Sequence, residues 1–278
     1  MEKLRSLIRW VAVTLGVILL TSFTVDATLS PSGFSQSALG ILASKATPEA
    51  TCPLGMVEIV LETRHLCVDA FEARPDVRCP VRSTQSVLDT RENLDAAGCS
   101  PASYADALPW TFVTYHQAKE LCAKAGKRLP SNAEWYAFAL GTPDTEAVCN
   151  TASPGLTTAG AAGACVTPRG VHDAIGNAWE WVDDTVQDGI WRDRVLPPSG
   201  YVVNADRNGV ASVTHQDIPN HDLHDDYFWS DTVGEYGMLR GGFYGSGSDA
   251  GLYSIQAKTN LSLSSAAIGF RCVTDLKI

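Results

Sequence analysis

The sequence has no basic stripe, no closely spaced cysteine pair and no apolar run long enough to cross a bilayer comfortably. Phosphate backbones are bound by clustered Lys and Arg. Here 21 Lys and Arg stand against 31 Asp and Glu, a formal net charge of -10 with the acids spread along the chain, so nucleic acid is not an expected partner. None of the 8 cysteines forms a Cys-x-x-Cys pair, which removes zinc ribbons and dithiol redox motifs. The apolar run from residue 10 to 23 is shorter than the ~20 residues of a spanning helix. No internal repeat occurs, and His65, His116, His172 and His215 have no partner at motif spacing.

What is present at the N-terminus reads as an export signal. Lys3, Arg5 and Arg9 precede the apolar run, and Val25-Asp26-Ala27 offers small residues for cleavage. Residues 1–27 are therefore expected to be a signal peptide or, uncleaved, an N-terminal anchor. Any membrane attachment would come through that segment alone. Residues 28–51, rich in Ser, Ala, Pro and Thr, read as a flexible linker, leaving 52–278 as one domain. An even number of dispersed cysteines in an exported chain reads as disulfides in a periplasmic or secreted protein. Eight cysteines allow 105 connectivities; local spacing suggests Cys52–Cys67, Cys79–Cys99 and Cys149–Cys165.

Alternation at Val57, Ile59, Leu61 and then Leu66, Val68, Ala70 predicts a hairpin turning at Thr63-Arg64. Residues 74–108 read as a loop stapled by Cys79–Cys99. Thr114 with Gln117, and Ser131 with Glu134, are capping-box pairs that open two short helices. Ala118, Leu121, Cys122 and Ala125 recur at helical spacing in the first, which Gly126 ends. Trp135, Phe138 and Ala139 line the second. Capping alone accounts for Glu134. Residues 183–237, rich in Asp, Asn, Pro and Gly, show few signals of regular structure and would need a function or a metal to order them.

Three stretches could carry chemistry. In Asp173-Ala-Ile-Gly-Asn-Ala-Trp-Glu-Trp181, Asp173 and Glu180 supply carboxylates, and Gly176 permits a turn that aims carbonyls inward. Calcium takes such oxygens; an Asx turn with Glu180 in an ion pair is the alternative. His221-Asp-Leu-His224-Asp-Asp226 places two His and three Asp together, either as zinc or iron ligands or as a solvated acidic loop. Residues 238–273, MLRGGFYGSGSDAGLYSIQAKTNLSLSSAAIGFRCV, join a Gly-Gly turn to an Ile-Gly-Phe-Arg-Cys ending through a segment rich in Ser, Gly, Asp and Tyr. Tyr and Ser with Gly are also the composition of antibody-like binding surfaces.

Gly126-Lys-Arg-Leu-Pro-Ser-Asn-Ala-Glu-Trp135, the Asp173–Trp181 block and the Gly-Gly to Gly-Phe-Arg-Cys segment, in this order, resemble the formylglycine-generating enzyme, or sulfatase-modifying-factor, family. The resemblance runs from about Cys52 to Val273. It implies an α+β domain, a variant of the C-type lectin fold with little regular secondary structure, here stapled by disulfides. It implies a bridge between Cys122 and Cys272, whose long loop would contribute on the order of 4 kcal/mol. It implies structural calcium at Asp173, Gly176, Ala178 and Glu180; Asn150 matches part of a second family site whose connecting segment is shorter here. The family's oxidases hold copper(I) between two cysteines soon after the Gly-Gly. Copper(I) needs soft thiolates, and no cysteine lies between Cys165 and Cys272, so neither copper nor the oxidase mechanism is expected.

The same segment also resembles the variable region of retroelement-diversified proteins, which share this fold and end similarly. Adenine mutagenesis of Asn codons reaches Tyr244, Gly245, Ser246, Asp249, Tyr253, Ser254, Ser265 and Ala267, though not Gln256 or Lys258. The resulting expectation is an exported, non-catalytic module that binds a protein or cell-surface ligand through Tyr244, Ser246, Asp249, Tyr253, Gln256 and Lys258. Its rivals are a sulfatase-modifying-factor-type enzyme with unassigned chemistry on a protein substrate, and a structural accessory in a cell-surface complex.

Overall fold

The computed structural model describes residues 51–276; the expected signal and most of the linker lie outside them. The N-terminal part runs β1 (Met56–Val60), β2 (His65–Asp69), β3 (Arg74–Pro75), α1 (Val87–Asp95), β4 (Pro101–Ala102), α2 (Tyr115–Lys124) and α3 (Asn132–Ala139). The C-terminal part is β5 (Trp179–Gln187), β6 (Ile190–Trp191), β7 (Arg194–Val195), β8 (Gly200–Ala205), β9 (Ala211–His215), β10 (Tyr227–Trp229), β11 (Glu235–Arg240), β12 (Ile255–Thr259), β13 (Ile268–Phe270) and β14 (Val273–Asp275).

The expected hairpin is β1–β2, with Ile59, Leu66 and Val68 buried; β14 adds to the free edge of β2. Both capping boxes form. Thr114 and Ser131 each accept from the backbone amide three residues on, and Gln117 and Glu134 each reach back to the cap amide. Gly126 follows α2 at φ +69°.

Two expectations need correction. Residues 74–108 contain α1, capped by the Ser86 side chain. Its inward residues are polar, so no apolar stripe announces it: Thr90 accepts from the Trp110 indole at 3.0 Å, and Asn93 bonds both the amide and the carbonyl of Val81. Residues 183–237 are not structureless either. They complete β5 and supply β6 to β10 and the start of β11. The β8–β9 pairing slips register twice, and bulges of this kind break the alternation a sequence reading depends on.

The large sheet has the order β7-β6-β5-β11-β12-β10-β8-β9, with β13 pairing to β5 in parallel. Both faces of its centre are buried. Trp135 and Phe138 of α3 share one cluster with Val182, Met238, Ile255 and Phe228. Trp110 and Leu121 share another with Trp181, Leu239 and Phe270. This double covering is why Trp179 to Val182 form an unbroken buried run. All four expected disulfides are present, Cys52–Cys67, Cys79–Cys99, Cys122–Cys272 and Cys149–Cys165, and no cysteine is free.

Candidate ligand-binding site

The parallel register of β13 on β5 sets Gly269 beside Glu180, which brings the Gly-Phe-Arg ending against the Trp-Glu-Trp block. Arg271 is wholly buried. Its Nε donates to Glu180 Oε1 at 2.7 Å and Oε2 at 2.9 Å, and its Nη2 also donates to Oε1. The remaining Arg271 donors reach the carbonyls of Asp69 and His172 at 3.1 and 2.9 Å. The Trp135 indole donates to Glu180 Oε2 at 2.7 Å. Three N–H groups, one of them shared between both oxygens, thus engage the Glu180 carboxylate.

Two more buried carboxyls stand nearby. Glu72 accepts from Asn177 Nδ2 at 2.7 Å and from the Ala178 amide at 3.2 Å. Asp173 accepts from the Gly160 amide at 2.6 Å. Burial, and then the other carboxylates, push Glu72 well above the usual range; burial lifts Asp173 to about 6. Gly176 turns at φ +79°, where a Cβ would meet the Asn150 carbonyl oxygen at 2.5 Å. Asp173, Gly176, Ala178 and Glu180 share one turn entering β5, but the set does not fit a calcium cage. The cation that Glu180 faces is Arg271, and both of its oxygens are already engaged by that guanidinium and the Trp135 indole. Among the described residues no group of three or more His, Cys, Asp or Glu side chains is placed to hold a metal ion. In the His221–Asp226 stretch, His221 pairs with Asp225 at 2.9 Å at the surface, whereas Asp226 is buried and accepts from the Tyr253 amide at 2.6 Å.

The segment after β11 is pinned at both ends. Arg240 is buried over the Trp135 ring at 4.5 Å and donates to the carbonyls of Gly209 and Leu252 at 3.1 and 2.8 Å. Burial lowers its guanidinium to about 9. Gly241 and Gly242 both take φ +88°, and a Cβ on Gly241 would sit 2.3 Å from the Ala174 carbonyl oxygen. Beyond them the Tyr244 amide donates to Asn177 O at 3.0 Å, and the Ser246 hydroxyl accepts from the Phe243 amide at 3.0 Å.

This turn closes a pocket of about 220 Å³ against the sheet, lined by Trp179, Trp229, Phe243, Ser246, Asp249 and Gln256. Three expected residues, Ser246, Asp249 and Gln256, therefore meet. Tyr244 stands edge-on to Phe243, half-buried, with centroids 5.1 Å apart. Lys258 is exposed further along β12, outside the lining. Tyr253 is not brought to this pocket. It packs beside Tyr136, 5.8 Å between centroids, and the adjacent Ser254 is buried. Sequence reasoning missed the aromatic walls. Trp179 reads as core from its strand pattern. Trp229 joins only because β10 pairs in parallel with β12, setting it beside Gln256. A larger cleft of about 790 Å³ runs along α3 past Arg64, Arg128 and Arg192, but these are already paired with Glu134, Asp275 and Asp184.

The description "Sulfatase-modifying factor enzyme 1-like domain" matches residues 67–153 and 157–276. The chain belongs to the sulfatase-modifying factor family. Among the described residues its α+β architecture of three α-helices, a large mixed sheet and four disulfides is the fold the resemblance implies. A search of curated proteins finds no match. Solved structures similar to it include the Major Tropism Determinant U1 variant, 21% identical, TM-score 0.47, with 82% of this chain and 54% of that one covered. The chain thus spans about half the length of the tropism determinants. PvdO from Pseudomonas aeruginosa is 16% identical, TM-score 0.43, with 81% and 92% covered. Treponema denticola variable protein 1 is 15% identical, TM-score 0.42, with 80% and 92% covered. Where the resemblance places the thiol pair of the family's oxidases, this member has Ser246 or its neighbours and then Gly251, and all eight of its cysteines are cross-linked.

Proposed function

We propose that this sulfatase-modifying-factor domain is an exported, non-catalytic binding module that engages a protein or cell-surface ligand through the pocket between β5, β10, β12 and the turn at 243–249. One observation carries the reading: a concave, aromatic-walled pocket is built between β5, β10, β12 and the turn, and Gln256 Oε1 in its lining is buried without a partner inside the domain. Buried polar atoms are ordinarily satisfied, and such a pocket is the default binding site of a fold. Four disulfides suit a periplasmic or extracellular setting. Among the described residues no helix is long and apolar enough to cross a membrane. The family's oxidase chemistry finds no thiol here.

The test is selection from a random peptide library on the purified domain, followed by rebinding to variants. Selected peptides should lose affinity for Trp229→Ala and Tyr244→Ala by about 2 kcal/mol, the size of an aromatic anchor. Peptides that bind both variants as well as wild type would reject the proposed face. The enzymatic rival is checked directly. A sulfatase-type cysteine peptide incubated with the protein and copper should remain a cysteine peptide by mass spectrometry, and conversion to formylglycine would promote that rival.

A further inference from the structure

The pocket at the 243–249 turn offers only one kind of complementarity. Its walls are aromatic: the Trp179 and Trp229 rings meet edge to face at 84° with centroids 5.8 Å apart, and Phe243 forms a third side. Aromatic faces carry negative charge density and attract cations. Asp249 is half-buried and has no side-chain hydrogen bond or ion pair among the described residues. Burial raises its carboxyl, with nothing offsetting it. Gln256 Oε1 is buried with no donor. The Ser246 hydroxyl oxygen already accepts from the Phe243 amide. The lining contains no basic side chain.

We propose that this pocket holds a primary alkylammonium group, the chemistry of a lysine side chain on a partner protein, with its N–H donors on Asp249 and Gln256 and its charge over Trp179, Trp229 and Phe243. The proposal rests on the binding-module reading and names what that face selects. An N–H-bearing cation answers every unmet feature at once. A quaternary ammonium would leave Gln256 Oε1 without a donor. A sugar hydroxyl would leave the Asp249 charge unpaired in a half-desolvated site, where an unpaired charge is costly. The net charge of -10 favours the approach of a cationic partner at low ionic strength.

The experiment needs no partner. The indole N–H resonances of Trp179 and Trp229, assigned through Trp→Phe variants, are followed by NMR during titration with Nα-acetyl-lysine-N-methylamide. Parallel titrations use its Nζ-acetyl derivative, tetramethylammonium and methyl glucoside. Saturable shifts with the lysine probe, none with the acetylated probe and about tenfold weaker binding to Asp249→Asn are expected, a charge-assisted hydrogen bond being lost. Lys258→Ala, outside the lining, should bind at least as well as wild type. Equal response to the acetylated probe, tighter binding of tetramethylammonium or methyl glucoside, or no response to any probe overturns the proposal. If selected peptides still require Trp229 while the lysine probe fails, the ammonium assignment alone falls. If the selected peptides ignore Trp229 as well, the binding face itself falls.

Discussion

Single residues divide here between the frame and the face. Arg271 and Glu180 form a fully buried pair at the junction of β5 and β13. Removing one partner of such a pair strands the other charge, at a cost of about 3–5 kcal/mol. Glu180→Ala should therefore lower unfolding stability by that order, equally in calcium and in chelator, since Arg271 fills the cation's place. A wild-type melting midpoint that rises with calcium, and a Glu180→Ala midpoint that does not, would restore the calcium site. Asp226 makes a second test. Burial, then Asp144 and Asp225, raise its carboxyl well above the usual range, against the opposing effects of the Tyr253 amide and Arg240. The folded state thus keeps this proton to higher pH than the unfolded chain. Stability is lost as pH rises from the unfolded carboxylate range through the folded one. Asp226→Asn keeps an acceptor for the Tyr253 amide and removes the titration. Its unfolding midpoint should exceed that of wild type at neutral pH and change less between pH 5 and 8. A steeper fall with pH in the variant would assign the dependence elsewhere.

At the scale of elements, the helices are local decisions and the strands are not. The boxes at Thr114 with Gln117 and Ser131 with Glu134 involve residues three apart, so the signal and the structure occupy the same few positions. Thr114→Ala should cost about 1 kcal/mol in urea unfolding, without altering peptide binding, because neither Thr114 nor any residue of α2 lines the pocket. A loss of binding at unchanged stability would link α2 to the face. The helix α1 escaped notice because Thr90 and Asn93, not an apolar stripe, hold it in place. β6 and β7 are each two residues long, and β8–β9 slips register, so neither carries an alternation that could be counted.

For the whole molecule, the governing link is Cys122–Cys272, which joins α2 to the ending beyond β13 across a separation of 150 residues. In the chain-entropy account, removing it costs about 4–5 kcal/mol, against about 3 kcal/mol for a loop the size of that closed by Cys149–Cys165. The Cys122→Ser, Cys272→Ser double variant should unfold at lower urea than the Cys149→Ser, Cys165→Ser variant under non-reducing conditions. The reverse order would show that local strain outweighs loop entropy.

By itself the sequence determined whatever depends on neighbours along the chain. That covers the β1–β2 hairpin, both capping boxes, the three short-loop disulfides and the absence of thiols near the Gly-Gly turn. Family resemblance supplied the long bridge and the fold class. Only the tertiary structure decided which side chains share the pocket. Trp179, Trp229, Phe243 and Gln256 lie on β5, β10, the turn and β12, and meet because β10 runs parallel to β12 while β11 separates β5 from β12. Tertiary packing likewise turned Tyr253 toward Tyr136 and gave Glu180 to Arg271. Strand order and register set these contacts, and both are fixed by burial of the two sheet faces together, which no local window of residues contains.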